Sequence, residues 1–105
     1  MAGDYPDKIR TLPIYDGRFD AYKLAADGAD VLFASYPPGT RIPPHTHETD
    51  NYGVIIRGEL ILTVAGETRR YGVGEWYHVA ARVEHAAAFD QPTDEIEFWF
   101  SDTNR

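Results

Sequence analysis

The residues best equipped for chemistry in this 105-residue chain are His45 and His47, separated by Thr46. In an extended segment side chains alternate between faces, so residues two apart point the same way. Two imidazoles can then be aimed at one point, and neutral imidazole is the commonest metal-binding side chain. A lone His-x-His is weak evidence, but this one has company. Gly39 precedes it, Gly58 follows it, and a second cluster runs from Gly74 to His85. Pro43-Pro44 holds the chain extended just before His45, because proline disfavours the helical region for its predecessor.

The elements that must position these residues read as short strands between turn signals. Strands are predicted over 18–25 and 29–36, around the hairpin signal Asp27-Gly28, then over 51–57 and 59–65, joined at Gly58. Further strands are predicted over 68–71, 76–79, 85–89 and 95–101. In the last of these Ile96, Phe98 and Phe100 share one face while Glu95, Glu97, Trp99 and Ser101 share the other. The apolar face is the one expected to be buried. No stretch carries a helical apolar stripe with caps, so the fold class is all-β, a sandwich or barrel. Residues 1–8 read as an N-terminal tail and 9–105 as one domain.

Composition narrows the function. There is no cysteine, so any metal must be held by nitrogen and oxygen donors. The formal net charge of −7 argues against nucleic acid or an anionic membrane as partner. The N-terminus carries no hydrophobic signal core and no apolar run is long enough to span a bilayer, which makes a cytoplasmic location the expectation.

The spacing of these residues resembles the cupin family. Its first motif is Gly, five residues, His-x-His, three or four residues, Glu, six residues, Gly; here Gly39, His45, His47 and Gly58 match, and Asn51 stands in the glutamate position. The second motif is Gly, five residues, Pro-x-Gly, two residues, His, three residues, Asn. Gly74 and His85 match it, whereas Ala80, Arg82 and Phe89 replace the proline, glycine and asparagine. The resemblance covers residues 18–101. It implies a small jelly-roll-like barrel (a double-stranded β-helix) with one divalent transition metal, Fe, Ni, Zn, Mn or Cu, held by His45, His47 and His85. Asn51 is expected as a weak fourth ligand or a hydrogen-bonding neighbour. Arg82 in the glycine position implies either a different turn or a positive φ costing about 1–2 kcal/mol.

Three neutral imidazoles leave a divalent ion its full charge, which favours a small organic anion in the open positions. Since three-histidine members of the family include iron dioxygenases, the resemblance implies an oxygenase first. A non-oxidative isomerase or lyase, or a metal-anchored binding module, stands behind it. By strand parity His78, Glu48, Asp50 and Glu84 are expected to face away from the metal, and Tyr36, Tyr52 and Arg57 are candidates for contacting the anion at the barrel mouth. A homodimer is expected from Trp99, an aromatic residue on the polar face of its strand.

Overall fold

The computed structural model describes residues 5–15 and 20–101. One helical turn, α1 (Asp7–Arg10), precedes nine strands: β1 (Asp20–Ala26), β2 (Ala29–Tyr36), β3 (Thr40–His45), β4 (Asp50–Arg57), β5 (Leu60–Val64), β6 (Glu67–Tyr71), β7 (Trp76–Val79), β8 (His85–Phe89) and β9 (Thr93–Phe100). They form two antiparallel sheets, β1-β2-β9-β4-β7 and β3-β8-β5-β6. The expected strands are all present within a residue or two at each end. Positions 18 and 19 of the first expected strand lie outside the described residues. β3 is an addition: the extended segment before His45 is itself a paired strand, bulged between Ile42 and His45.

The core lies between the sheets. Leu32, Ala34, Ile55, Tyr77 and Val79 come from the first sheet, and Leu60, Leu62 and Phe89 from the second. Ile55 and Phe89 are almost wholly buried, and each such side chain contributes about 1.5–3 kcal/mol of hydrophobic stabilisation. Phe89 stacks on Tyr36 across the two sheets, with ring centroids 4.0 Å apart. Tyr5 falls in the segment expected as a tail, yet it is buried. Its hydroxyl donates to the carbonyls of Ala34 (2.7 Å) and Glu95 (3.0 Å). An aromatic ring with two carbonyl acceptors in reach has reason to dock.

β9 reverses the expected burial. Glu95 and Glu97 are 1% and 2% exposed, whereas Phe100 is 37% exposed and Phe98 and Ile96 are half-buried. The polar face of β9 points between the sheets because the interior supplies donors for it: the hydroxyls of Tyr36 and Tyr77 and the indole N–H of Trp99. Among the described residues, no helix is long and apolar enough to cross a membrane.

Candidate metal centre

His45 ends β3 and is the direct cross-strand partner of His85 at the start of β8. His47 lies two residues further on, in the loop before β4. The three rings converge: centroids are 4.5 Å apart for His45 and His47, 4.2 Å for His45 and His85, and 5.0 Å for His47 and His85. One nitrogen from each lies within 4.8 Å of the others. Hydrogen bonds orient two of the rings. Nδ1–H of His45 donates to the Pro43 carbonyl at 2.7 Å, and Nδ1–H of His85 to the Val83 carbonyl at 2.9 Å. That choice of tautomer leaves Nε2 as the lone-pair atom, the arrangement metal-bound histidines use. Nε2 of His45 stands 2.9 Å from Nε2 of His47. Two ligands each ~2.0–2.1 Å from one ion reach such a separation without strain. The donor set therefore fits a divalent transition metal.

The loops are tied to one another. The backbone N–H of Arg82 donates to the His47 carbonyl at 2.6 Å, and that of Ala81 to Asp50 Oδ1 at 2.9 Å. Arg82 achieves this with φ +67°, the second of the two alternatives expected for a side chain in the glycine position. His85 is buried, and desolvation holds its pKa below the usual histidine value, with the charge of nearby His45 acting in the same direction and the Val83 hydrogen bond opposing. Burial thus favours the neutral imidazole, the form that binds a metal.

The histidines open on a cavity of about 370 Å³ between the sheets, in the range of small-molecule sites. Trp99 stands beside the metal end, its ring 4.6 Å from that of His47. Asn51, buried and paired with Trp99 in the sheet, also lines the cavity. Its side-chain NH2 donates to the carbonyls of Tyr52 and Phe98 at 3.3 and 3.4 Å. Deeper along β9 come Glu97 and Glu95, each two residues on, steps of about 7 Å. Tyr36 Oη donates to Glu97 Oε2. Trp99 Nε1 donates to Glu97 Oε1 at 3.1 Å, and Tyr77 Oη to Glu95 Oε2 at 2.6 Å. Gly53 makes room for this arrangement. A Cβ there would lie 2.3 Å from Tyr77 Cε2 and 2.4 Å from its hydroxyl. Burial pushes the Glu97 carboxyl up to about 7 against the opposing Tyr36 and Trp99 hydrogen bonds, and pushes Glu95 up as well, helped by Glu97.

Comparison with known proteins now bears on this site. The Cupin domain family model matches residues 32–99, which includes every residue of the centre. The chain is a cupin. A curated relative, H2HPP isomerase of Bacillus subtilis, is 31% identical over 74 residues, 70% of this chain and 31% of that protein. This cupin thus spans about a third of that relative's length. The solved structure of KdgF from Halomonas sp. superposes with a TM-score of 0.78 at 19% identity, covering 90% of this chain and 91% of that one. DMSP lyase DddQ from Ruegeria pomeroyi DSS-3 superposes at 0.71 with 26% identity, over 84% of this chain and 49% of that one.

Within the cupin, His45, His47 and His85 converge, while Asn51, expected as a weak fourth ligand or a hydrogen-bonding neighbour, lines the same cavity with its NH2 on backbone carbonyls. His78 lies on the outer sheet face, stacked on Tyr52 at 4.1 Å. Glu48 and Glu84 are exposed, and Asp50 caps the Ala81 turn. Of the three anion-contact candidates, only Tyr36 lines the cavity. Tyr52, of the parity opposite to the cavity-lining Asn51, is on the outer face; Arg57 shares the parity of Asn51, but the register shift between Ile55 and Arg57 breaks the alternation, and Arg57 pairs with Asp94 at 3.6 Å. Trp99, taken as an outer aromatic, is inside, so it no longer argues for a dimer. Glu95, Glu97 and Tyr77 were missed. For the two glutamates the available signal was their two-residue period in phase with Trp99 on β9, which identifies one face but not which way it turns.

Proposed function

We propose that this cupin is a metal-dependent isomerase or lyase that moves a proton on a small organic anion, in preference to the oxygenase that three histidines first suggest. One observation carries the reading: the cavity that ends at His45, His47 and His85 also holds two buried carboxyls, each hydrogen-bonded to a tyrosine hydroxyl. Carboxyls raised toward neutrality are suited to give and take protons near neutral pH. The isomerase and lyase names of the two relatives point the same way.

A metal held by the three histidines would supply Lewis acidity toward a bound oxygen. The rest is the work of the chain. Pro43 and Val83 fix two of the rings through their carbonyls, Trp99 and Phe89 wall off water, and Glu97 with Tyr36 holds a proton at Oε2 facing the ligand. The test is proton NMR in D2O with 2-oxo acids and Ni(II)-loaded protein, beside an oxygen electrode with the Fe(II)-loaded form. Solvent deuterium should enter the carbon next to the carbonyl, faster than in a His47→Ala control, with no oxygen uptake. Oxygen consumption above that control, without exchange, would return the assignment to an oxygenase.

We also propose a homodimer, on a surface other than the expected one. Tyr52, Trp76, Phe98 and Phe100 form an apolar patch on the outer face of the five-stranded sheet, and Trp76 is 59% exposed. Pairing two such faces would bury it. Sedimentation should give the mass of two chains, and Trp76→Glu should reduce it to one. A wild-type mass of one chain at micromolar concentration would rule the dimer out.

A further inference from the structure

We infer that a second chamber beside His47 receives a carboxylate of the ligand on Lys23, so that the ligand carries two carboxylates, one at the histidines and one in this chamber. The place of the first carboxylate rests on the proposed function. The geometry of the chamber is independent of it.

The chamber has a volume of about 240 Å³ and shares Tyr15, His47 and Trp99 with the cavity already described. Lys23, Asp30 and Thr49 give it a polar wall. Lys23 is the cross-strand partner of Leu32, which in turn faces Glu97 on β9, and Asp30 is the partner of Trp99. Cross-strand partners share a face of the sheet, so Lys23 and Asp30 stand on the inner face toward its β1 edge. Two strand spacings separate the backbones of Lys23 and Glu97 by about 10 Å, which makes this a different place from the deep end. The segment before β1 closes the chamber. Tyr15 N–H donates to the Ala21 carbonyl at 2.9 Å, and Lys23 N–H to the Pro13 carbonyl at 2.8 Å. Tyr15, Lys23 and Asp30 all precede residues 32–99, the part that matches the family model. The metal end thus comes from the part shared with the family, and the charged wall of this chamber from outside it.

Charge selects the occupant. Among the described residues lining the two spaces, Lys23 is the one lysine or arginine. Its ammonium carries three N–H donors and lies 3.5 Å from Asp30 Oδ2. That contact leaves donors for a ligand, beside the Thr49 hydroxyl. Both side chains are partly exposed, and a pair of that kind contributes little, so Lys23 can turn toward a ligand at low cost. The charges of Lys23 and Asp30 cancel. A divalent ion on three neutral imidazoles and one ligand carboxylate keeps a single positive charge, with Glu95 and Glu97 protonated, the form their burial favours. A second carboxylate completes that balance. A phosphate, at about −1.5 to −2, exceeds it.

Two matched pairs of probes isolate the second carboxylate: 2-oxopentanoate against 2-oxoglutarate, and 2-oxohexanoate against 2-oxoadipate. Within each pair the head and the chain length are the same. Calorimetric titration of the Ni(II)-loaded wild-type protein should show the dicarboxylate of at least one pair binding about fivefold tighter, the effect of one partly exposed charge pair. Lys23→Met should bring that ratio close to one with nickel content unchanged, and Lys23→Arg should keep most of it. Lys23→Met with Asp30→Asn removes the pair as a whole and should behave like Lys23→Met. Absence of any preference for the dicarboxylate in the wild type overturns the inference, and needs no variant to be folded. A preference that survives Lys23→Met also overturns it, by placing the second carboxylate elsewhere. So does a preference that returns in the double variant, which would trace the effect to repulsion by Asp30. If the nickel binds but none of the probes does, the functional reading fails, and the inference falls with it. If the probes bind equally well without metal yet keep a preference that depends on Lys23, the chamber stands and the functional reading is what breaks.

Discussion

His45-Thr46-His47 and Glu95-Ile96-Glu97 are the same device used twice: two ionisable side chains, one residue between them, both aimed into one cavity by the alternation of extended chain. Their surroundings make them opposites. The histidines sit half-buried, and His45 has its Nδ1–H fixed on the Pro43 carbonyl, which presents bare Nε2 to an ion. The glutamates sit fully buried, facing tyrosine hydroxyls and an indole, which presents oxygens that hold protons. Spacing delivers convergence. Burial and partners decide whether convergence makes a metal centre or an acid–base pair.

The comparison breaks most sharply at the histidine end. Replacing His45, His47 or His85 singly with alanine should lower bound metal from one per chain to well below that, after dialysis and elemental analysis. His78→Ala should leave it at one, since that ring stacks on Tyr52 outside the sheet. Loss of metal in the His78 variant with retention in the His85 variant would reassign the centre.

The glutamate end should show itself in the pH dependence of stability. Glu97 has an ordinary value of 4.5 and is pushed up to about 7 by burial. A carboxyl that binds its proton more tightly folded than unfolded contributes stability that is fully present below the unfolded value and lost as pH rises through the folded one. Urea unfolding between about pH 5 and about pH 8 should therefore show wild-type stability falling with pH, by up to ~3 kcal/mol from this group. Glu97→Gln should flatten the fall. Parallel curves for the two proteins would mean that Glu97 does not carry its proton in the fold.

How far the sequence made this legible differs between the two ends for a physical reason. The histidine end was readable because glycine and proline punctuation fixes where the strand stops and the histidine type names the chemistry. The strands were readable from their turns. β9 was not. Its two faces were correctly separated, but the rule that apolar residues go inward assigns the wrong one to the core. That rule assumes an interior packed solid. Here the interior is a lined cavity whose tyrosines need acceptors, while Ile96 and Phe98 meet partial cover on the outside from neighbours in the sheet and Phe100 stays exposed. Sequence rules tend to fail at functional sites, where local preferences give way to chemistry. Tyr5 shows the same limit in small: nothing in a short acidic segment announces that one aromatic ring will find two carbonyls.

The smallest effect expected concerns the loop that steadies the histidine end. Arg82 holds φ at +67°, a conformation that costs a side chain about 1–2 kcal/mol and glycine little. Among the described residues its guanidinium reaches Glu48, at 3.4 Å, with both side chains mostly exposed, and such a pair contributes little. The interaction that matters to the metal centre is made by its backbone N–H with the His47 carbonyl, which glycine retains. Glycine does add conformational freedom to the unfolded chain, which offsets part of the gain. Arg82→Gly should thus raise stability in urea by up to about 1 kcal/mol and leave metal content at one per chain. A clear loss of stability would show that the arginine side chain holds the turn. A loss of metal without a loss of stability would show instead that strain in this turn positions His47, making the histidine end depend on its loop as the glutamate end depends on Gly53.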